Sequence, residues 1–328
     1  MREINIRDIE GFKIGNAQDL EAATGCTVII CEKGAAGGVD VRGGAPGTRE
    51  TDLLNPVNMV QELHAVILAG GSAFGLDAAS GVMQYLEEKG IGFDVGVTKV
   101  PIVASAVLFD LVIGKTDIRP DKSMGYSACQ DAEKMNDLHS DSLLGNIGAG
   151  TGATVGKILG PEQAMKGGLG SCCYEAGELK VGAIVAVNCL GDVVDPKTGK
   201  IIAGALNEDE SGFINTEEFM ISQYDNKKNL FNGNTTIGVI ITNAKLTKAQ
   251  ANKVASMAHN GFGRTMRPAH TMHDGDTIFT MAAGEVEADI NVVGLLAARA
   301  IEESIVRAVK NAETMYGYRC YKDVFLEA

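Results

Sequence analysis

A threonine at the start of an apolar stretch is the residue whose surroundings point most directly to chemistry. Thr235 follows Asn234 at the end of a polar segment and precedes the apolar run 236–242. If the peptide bond before Thr235 is cut, this residue carries both a hydroxyl and a free α-amine, whose pKa is about 8. Such an amine can take the hydroxyl proton without a separate histidine. By itself, however, Asn-Thr-Thr before a strand is an ordinary sequence.

Two histidines and two aspartates in the segment 270–276 could form a site of a different kind. They are His270, His273, Asp274 and Asp276. Imidazole and carboxylate groups bind metals, but the HExxH helical spacing of zinc hydrolases is missing, and Asp-Gly-Asp is typical of a turn. The aspartates would then cap a turn, or orient an amine and a hydroxyl. No metal, nucleotide or organic cofactor is expected.

The glycine-rich segment 148–157 resembles a phosphate-binding loop without matching it. A Walker loop has glycine where Thr151 stands, and it has Ser or Thr where Ile158 follows Lys157. A nucleotide site is therefore not expected. The segment taken alone is interpreted as a strand-to-helix turn with a solvated lysine.

The segment 70–75 resembles a nucleophile elbow. The GxSxG pattern needs glycine where Phe74 stands, so Ser72 is a weak candidate for a hydrolase nucleophile. The glycine pair at its start instead indicates a close backbone turn after the apolar run 65–69.

Several long motifs, taken together and in order, resemble the L-aminopeptidase/D-amidase/D-esterase family, which includes β-aminopeptidases and nylon-oligomer endo-amidases. The motifs lie at 37–52, 68–77, 148–153, 166–171, 185–188, 234–239 and 267–279. They span nearly the whole chain. The resemblance implies an α/β fold, a four-layer αββα sandwich similar to that of N-terminal-nucleophile hydrolases.

The resemblance also implies maturation by internal cleavage before a serine or threonine, which in this sequence is Thr235. A single catalytic domain over residues 1–328 would then become two fragments, 1–234 and 235–328. Threonine at this place, with Asp-Gly-Asp at 274–276, resembles the threonine-bearing nylon-oligomer branch. Members of the serine-bearing branch carry Ser and Glu at the two aspartate positions.

Four more residues acquire roles from the resemblance. Asn188 would donate its amide N–H to the oxyanion, and Lys157 would favour the neutral form of the Thr235 amine. Asp274 and Asp276 would accept hydrogen bonds from the Thr235 amine and Oγ, or serve mainly as turn caps. The alternatives for the first two are a strand-end turn residue and a surface lysine.

Short apolar runs alternate with helical patterns, as in an α/β domain. Strands are predicted at 27–31, 65–69, 181–187 and 236–242, and helices at 74–88, from a capping box at 247–250 to about 258, and at 290–309. The polar, acidic segment 206–234 is predicted to be a long surface loop, functional or flexible.

The composition is that of a packed globular protein, with 45% apolar and 22% charged residues. The net charge of −13 argues against nucleic-acid and anionic-membrane partners, because both need a basic face. Seven cysteines without a CxxC pair are interpreted as buried free thiols in a reducing compartment. Without a signal-peptide pattern or a membrane span, a cytoplasmic location is expected.

These observations favour an amide hydrolase that acts on a small peptide or amide through an acyl-enzyme on Thr235. One alternative is an acyl transferase similar to ornithine acetyltransferases, which pass the acyl group to an amine instead of water. Another is an uncleaved, non-catalytic member of the family. The resemblance further implies a homo-oligomer, with a tetramer favoured.

Overall fold

The computed structural model describes residues 1–135, 143–209, 212–225 and 233–325. Ten strands form its main sheet system and are named in chain order. They are β1 (Arg2–Ile4), β2 (Lys13–Asp19), β3 (Thr24–Val41), β4 (Thr48–Arg49), β5 (Glu62–Ala69), β6 (Val103–Val107), β7 (Gly168–Ala176), β8 (Leu179–Val187), β9 (Ile237–Ala244) and β10 (Thr277–Val286).

Helices and short elements complete the described structure. The α-helices are α1 (Ala78–Glu88), α2 (Lys122–Met135), α3 (Thr216–Ser222), α4 (Lys248–Thr265), α5 (Ile290–Lys310) and α6 (Tyr321–Phe325). Turns of 3₁₀ helix are Ile6–Asp8, Asp52–Leu54, Ser72–Asp77, Gly148–Gly150 and Pro161–Gln163. Short strands lie at Phe93–Asp94, Lys99–Val100, Thr154–Val155, Met165–Lys166, Asp192–Val194, Ile201–Ala203, Ala205–Leu206, Phe213–Ile214 and Met266–Arg267.

The main strands pair in the order β1-β7-β8-β9-β10-β3-β5-β6-β4, and β2 pairs with β3 off this path. The long strand β3 belongs to two groups of strands. One group contains β1, β7, β8, β9 and β10, and the other contains β2, β4, β5 and β6. Its first part pairs with β2 and β5, and its last part, from Ala36, pairs with β10. The register shifts between Ile30 and Ala35, where a bulge lets the strand bend from one group to the other.

The two groups of strands pack face to face. Ile184, Val239 and Phe279, from β8, β9 and β10, share one buried apolar cluster with Ile29 and Leu68, from β3 and β5. Because successive side chains of a strand point to opposite faces, the alternate residues are free to pack against helices.

Helices cover the outer faces of both groups. Val185 of β8 packs with Phe262 of α4 and Ile301 of α5, whereas Ile67 of β5 packs with Leu86 of α1 in a separate cluster. Three apolar interfaces therefore separate four layers: α4 and α5, two groups of strands, then α1 and α2. The predicted α/β fold with four αββα layers is confirmed.

The predicted elements occur with shifted ends. The strand predicted at 236–242 is β9, and the capping box of Thr247 with Gln250 is present, although α4 continues to Thr265. The helix predicted from 74 begins as an α-helix only at Ala78. The reason is local: Gly71 and Ser72 have φ of 80° and 54°, so the chain enters through a 3₁₀ turn.

The prediction of one long loop at 206–234 is wrong for its described middle part. Phe213–Ile214 forms a hairpin with Ala205–Leu206, and α3 follows directly. The side chain of Asn215 caps α3 by accepting from Glu218 N, and the buried carboxylate of Asp192 accepts from Thr216 N at 2.8 Å. Residues 210–211 and 226–232 of this segment lie outside the described residues.

All seven cysteines are buried and form no disulfide, as predicted. Among the described residues, no helix is both long enough and apolar enough to cross a membrane.

Candidate active site

Three strand ends meet at the predicted site because of the way the strands run. β8 is antiparallel to β9, and β9 is parallel to β10, with Ile237 opposite Thr277. The end of β8 and the starts of β9 and β10 therefore lie at one edge of the sheet. A bridge between Asn234 and Asp274 continues the parallel pairing before the two strands. This topology brings together three sequence segments that are distant along the chain.

Thr235 is buried at this edge, with only 5% of its surface exposed. Its Oγ1 lies within hydrogen-bond reach of the carbonyl oxygen of Asn234, the residue before it. The backbone N–H of Gly275 donates to the same Oγ1 at 3.1 Å, and Thr235 N donates to the carbonyl of Asn188 at 3.0 Å. The hydroxyl is thus held against the peptide bond that the sequence predicts to be cleaved.

Asn188 follows β8 and is fully buried. Its side-chain Oδ1 accepts from Thr154 N at 3.0 Å and from Lys157 Nζ at 2.9 Å, whereas Nδ2 donates to the carbonyl of Phe109 at 3.0 Å. These partners fix the orientation of the amide. In the intact chain, the group that contacts Thr235 is the backbone carbonyl of Asn188.

Lys157 is buried beside Asn188, with 3% of its surface exposed. Its Nζ donates to the carbonyl of Asn188 at 3.0 Å and reaches the carbonyl of Gly233 at 3.5 Å. Burial lowers the pKa of Lys157 to about 7, with Cys189 and Asp274 acting in the opposite direction. The segment before Lys157 forms a buried 3₁₀ turn at Gly148–Gly150 and a short strand at Thr154–Val155, and Lys157 itself is buried. The interpretation of Lys157 as a solvated lysine in a strand-to-helix turn is therefore wrong.

The two aspartates are buried in the turn before β10. Asp276 Oδ1 accepts from Thr236 N at 2.8 Å, and its Oδ2 lies 2.9 Å from Nδ1 of His270. Asp274 Oδ2 accepts from the backbone N and Oγ1 of Thr271 at 2.8 and 2.6 Å. Burial, and then the nearby Asp276, raise the pKa of Asp274 to about 6.

The contacts of these carboxylates differ from those expected for the cleaved form. Among the described residues, neither Asp274 nor Asp276 hydrogen bonds to Thr235, whose nitrogen is still a peptide N–H held by Asn188. An amine with three protons can form only after cleavage. The predicted contacts with the Thr235 amine therefore stay a prediction.

The histidines of the same segment face different ways. His270 is held by Asp276, whereas His273 lines a cavity that reaches Thr235. No group of three or more His, Cys, Asp and Glu within the described ranges has an arrangement that could hold a metal ion.

The cavity beside Thr235 has a volume of about 120 Å³. Ser72 and Phe109 line it, so the glycine-rich segment resembling a nucleophile elbow forms a wall of the site. Asn234 also borders it, and neither Nδ2 nor Oδ1 of this buried side chain has a hydrogen-bond partner among the described residues. A larger cleft beside Arg307 lies at β1 and β7, away from these groups.

The sequence reasoning missed two contributors to the site. Gly275 presents its backbone N–H to Thr235, and the Phe109 carbonyl orients Asn188. A glycine between two aspartates was a usable signal, but it was interpreted only as a turn. Phe109 carries no such signal, because its backbone carbonyl is the group that acts.

Comparison with known proteins shows the family of this chain. A model of peptidase family S58 matches residues 5–322. The chain belongs to peptidase family S58. It is 40% identical over 352 aligned residues to an uncharacterized aminopeptidase of Mycobacterium tuberculosis, covering 98% of each chain. It is 31% identical over 291 residues to a 6-aminohexanoate-oligomer endohydrolase of Paenarthrobacter ureafaciens, covering 87% of this chain and 77% of the relative.

Solved structures share the fold. A β-aminopeptidase of a Burkholderia species has a TM-score of 0.67 at 18% identity, covering 99% of this chain and 94% of its own. The L-aminopeptidase D-Ala-esterase/amidase of Ochrobactrum anthropi, described as a new variant among the Ntn hydrolase fold, has a TM-score of 0.65 at 17% identity, covering 95% and 87%. This chain therefore shares the fold of these proteins, and its membership of peptidase family S58 makes it a hydrolase.

Proposed function

We propose that this chain is an amide hydrolase that cuts itself between Asn234 and Thr235 and then uses Thr235 as an N-terminal nucleophile. The observation that carries the proposal is the position of Thr235 Oγ1 against the carbonyl of Asn234, at a buried edge shared with Asn188 and Lys157. The products would be fragments 1–234 and 235–328.

The proposed self-cleavage is an N-to-O acyl shift followed by hydrolysis of the resulting ester. Thr235 Oγ forms a bond to the carbonyl carbon of Asn234, and the carbonyl electron pair moves onto oxygen. Collapse breaks the bond to the Thr235 nitrogen, which ends with the hydroxyl proton. Water then cleaves the ester, which leaves a carboxylate on Asn234 and restores the hydroxyl beside a free α-amine.

Asn234 borders the cavity beside Thr235. Cleavage makes Asn234 the C-terminus of the first fragment and frees it to leave this position. The place of the Asn234 acyl group beside Thr235 then becomes available to a substrate.

In turnover, the Thr235 α-amine takes the Oγ proton as Oγ attacks a substrate amide. The C–N bond of the substrate breaks, the leaving amine receives that proton, and the acyl group stays on Oγ as an ester. Water then hydrolyses this ester, which releases the acid and restores the hydroxyl. An α-amine has an ordinary pKa of about 8, so a useful fraction is neutral near pH 7. The buried Lys157, when protonated, favours the neutral amine through like-charge repulsion. The chemistry needs no metal or organic cofactor.

The proposed substrates are small peptides or other amides. Relatives named as an aminopeptidase and as a 6-aminohexanoate-oligomer endohydrolase support this class of bond. A product assay with and without an added amine separates hydrolysis from acyl transfer, which would consume the amine. A homo-oligomer, with a tetramer favoured, and a cytoplasmic location also stay predictions.

The deciding test combines mass spectrometry with one substitution and a neighbouring control. The purified chain should give two masses, and the small fragment should begin Thr-Thr-Ile-Gly-Val. Thr235→Ala should stay one chain and lose amide hydrolysis, because one hydroxyl serves both reactions. Thr236→Ala should still cleave, since the Thr236 hydroxyl contacts Met266 and not Asn234. Cleavage at another bond, or normal hydrolysis by Thr235→Ala, would refute the proposal.

A further inference from the structure

We infer that the backbone N–H of Gly275 is the oxyanion donor for the self-cleavage. This inference rests on the proposed nucleophile Thr235. The N–H of Gly275 donates to the carbonyl oxygen of Asn234 at 3.2 Å and to Thr235 Oγ1 at 3.1 Å. One donor thus touches both the attacking oxygen and the oxygen on which negative charge develops.

The Gly275 N–H should bind the transition state more strongly than the intact chain. In the intact chain it is divided between two neutral acceptors, Thr235 Oγ1 and the Asn234 carbonyl. As Oγ bonds to the carbonyl carbon, Oγ becomes an ester-type oxygen and a weaker acceptor. The full negative charge falls on the former carbonyl oxygen, so the N–H can bond to it alone. An interaction that strengthens during the reaction lowers the barrier.

The amide is held in place before the reaction begins. The carbonyl of Asp274 accepts from Ala45 N at 2.8 Å, which fixes the peptide unit that carries the Gly275 N–H. On the other side, Asp276 Oδ1 accepts from Thr236 N at 2.8 Å and ties the turn to the start of β9. A donor fixed by its surroundings needs little reorganisation when charge develops.

Asn188 is less well placed for this first step. Its Nδ2 donates to the carbonyl of Phe109 at 3.0 Å, and its backbone contributes an acceptor to Thr235 N. Asn188 as oxyanion donor in substrate turnover stays a prediction. For the cut in the intact chain, the N–H in contact with the scissile carbonyl is that of Gly275.

The same geometry explains why this position holds glycine. A Cβ on residue 275 would lie 2.7 Å from Thr235 Oγ1 and 2.9 Å from the carbonyl oxygen of Ala45. Real Cβ atoms essentially never approach this closely, so a side chain would displace the nucleophile. Glycine therefore allows the backbone donor to approach the reacting atoms.

The test removes the N–H without adding a side chain. Incorporation of glycolic acid at position 275 during cell-free synthesis replaces the peptide N–H with an ester oxygen. Fragment formation, followed on denaturing gels, should slow by about 10²–10³-fold, the loss typical of one oxyanion donor. Glycolic acid at position 263, in helix α4, is the matched control and should cleave at nearly the normal rate.

A second arm tests the requirement for glycine. Gly275→Ala keeps the N–H but places a methyl group against Thr235, so it should also slow the cut, whereas a Cβ on Gly263 would have no neighbour within 4 Å. Circular dichroism after purification verifies that each variant is folded. If the natural chain cuts before Thr235 and the glycolic acid variant at 275 cuts equally fast, only the inference about Gly275 is wrong. If the natural chain stays whole, the proposed function is wrong as well.

Discussion

Two buried lysines lie close to each other in this molecule and differ in what they hold. Lys157 and Lys166 are 3% and 0% exposed, and burial lowers the pKa of each to about 7. Lys157 reaches the carbonyl of Asn188, which accepts from Thr235 N, and the carbonyl of Gly233, which precedes Asn234. Residue type, burial and pKa are therefore alike in the two lysines, and only their partners separate them.

Lys166 makes contacts of a structural kind. Its Nζ donates to the carbonyls of Gly150, Ala153 and Gly167 at 3.2, 2.8 and 3.2 Å. These acceptors belong to the glycine-rich segment and to the residue just before β7, and none of the three belongs to the scissile segment. The buried carboxylate of Asp110 is a further neighbour, which raises the pKa of Lys166 against the effect of burial. A buried lysine with a lowered pKa is thus not by itself a sign of catalysis.

Replacing the two lysines by the same residue should separate their roles. Lys157→Met should slow self-cleavage by about 10²-fold or more, the usual scale for a group that acts in proton transfer or charge stabilisation. The reason is its contact with the carbonyl of Gly233, next to Asn234, and with the carbonyl of Asn188, which accepts from Thr235 N. The measurement is the loss of the full-length band with time after synthesis.

Lys166→Met is the matched control for this prediction. Lys166 has the same side-chain length as Lys157 and is similarly buried, so the two variants share any general effect of removing a buried amine. Cleavage should stay within about 10-fold of normal in the folded fraction, since a positioning role acts only through the glycine-rich turn. An equal loss of cleavage rate in the two variants would contradict the separate roles that we infer from the contacts of the two lysines.

The family resemblance implied the four layers of the fold, which the structure confirms, whereas the hydrogen bonds of the candidate site could not be foreseen. Apolar runs locate β8 and β9 because strands buried on both faces need such runs. The family resemblance singled out Lys157, Asn188 and the aspartates, and the topology does bring these residues together around Thr235. Their catalytic roles stay predictions.

What the sequence could not give is set by backbone geometry and by the state of the chain. The sequence does not reveal α3 because the helix is short and acidic, and because its anchor Asp192 is far from Thr216 in the sequence. Gly275 acts through its N–H, which every residue except proline possesses. The aspartate contacts were expected for a free amine, whereas the intact chain presents a peptide N–H at Thr235.

The shared burial of the two lysines should appear in the pH dependence of stability. The folded pKa of each lysine is about 7, against an ordinary value of 10.5. Between these values the unfolded chain binds a proton that the folded chain has released, so stability rises with pH. Below pH 7 both states are protonated, and this contribution no longer changes.

Lys157→Met and Lys166→Met should therefore each show a shallower rise in the free energy of unfolding between pH 7 and 9. The slope should fall by up to about 1.4 kcal/mol per pH unit for each lysine removed. Urea unfolding in the Thr235→Ala background, which should keep the chain whole, measures it. The carboxylates of Asp110 and Asp274, with pKa values raised to about 6, titrate mostly below this window. An unchanged slope in either variant would mean that its lysine stays charged in the folded chain.

The smallest effect on the pH dependence of stability and on cleavage is expected for a lysine that is neither buried nor near Thr235. Lys245 is exposed and pairs with Glu287 at 2.8 Å, an interaction that raises its pKa instead of lowering it. Folded and unfolded chains then both keep this proton throughout pH 7 to 9, so Lys245→Met should leave the slope unchanged. It should also cleave normally, because among the described residues the side-chain partner of Lys245 is Glu287, which is not part of the Thr235 site. A changed slope in this variant would show that the flattening expected for Lys157 and Lys166 arises from loss of any lysine charge and not from burial.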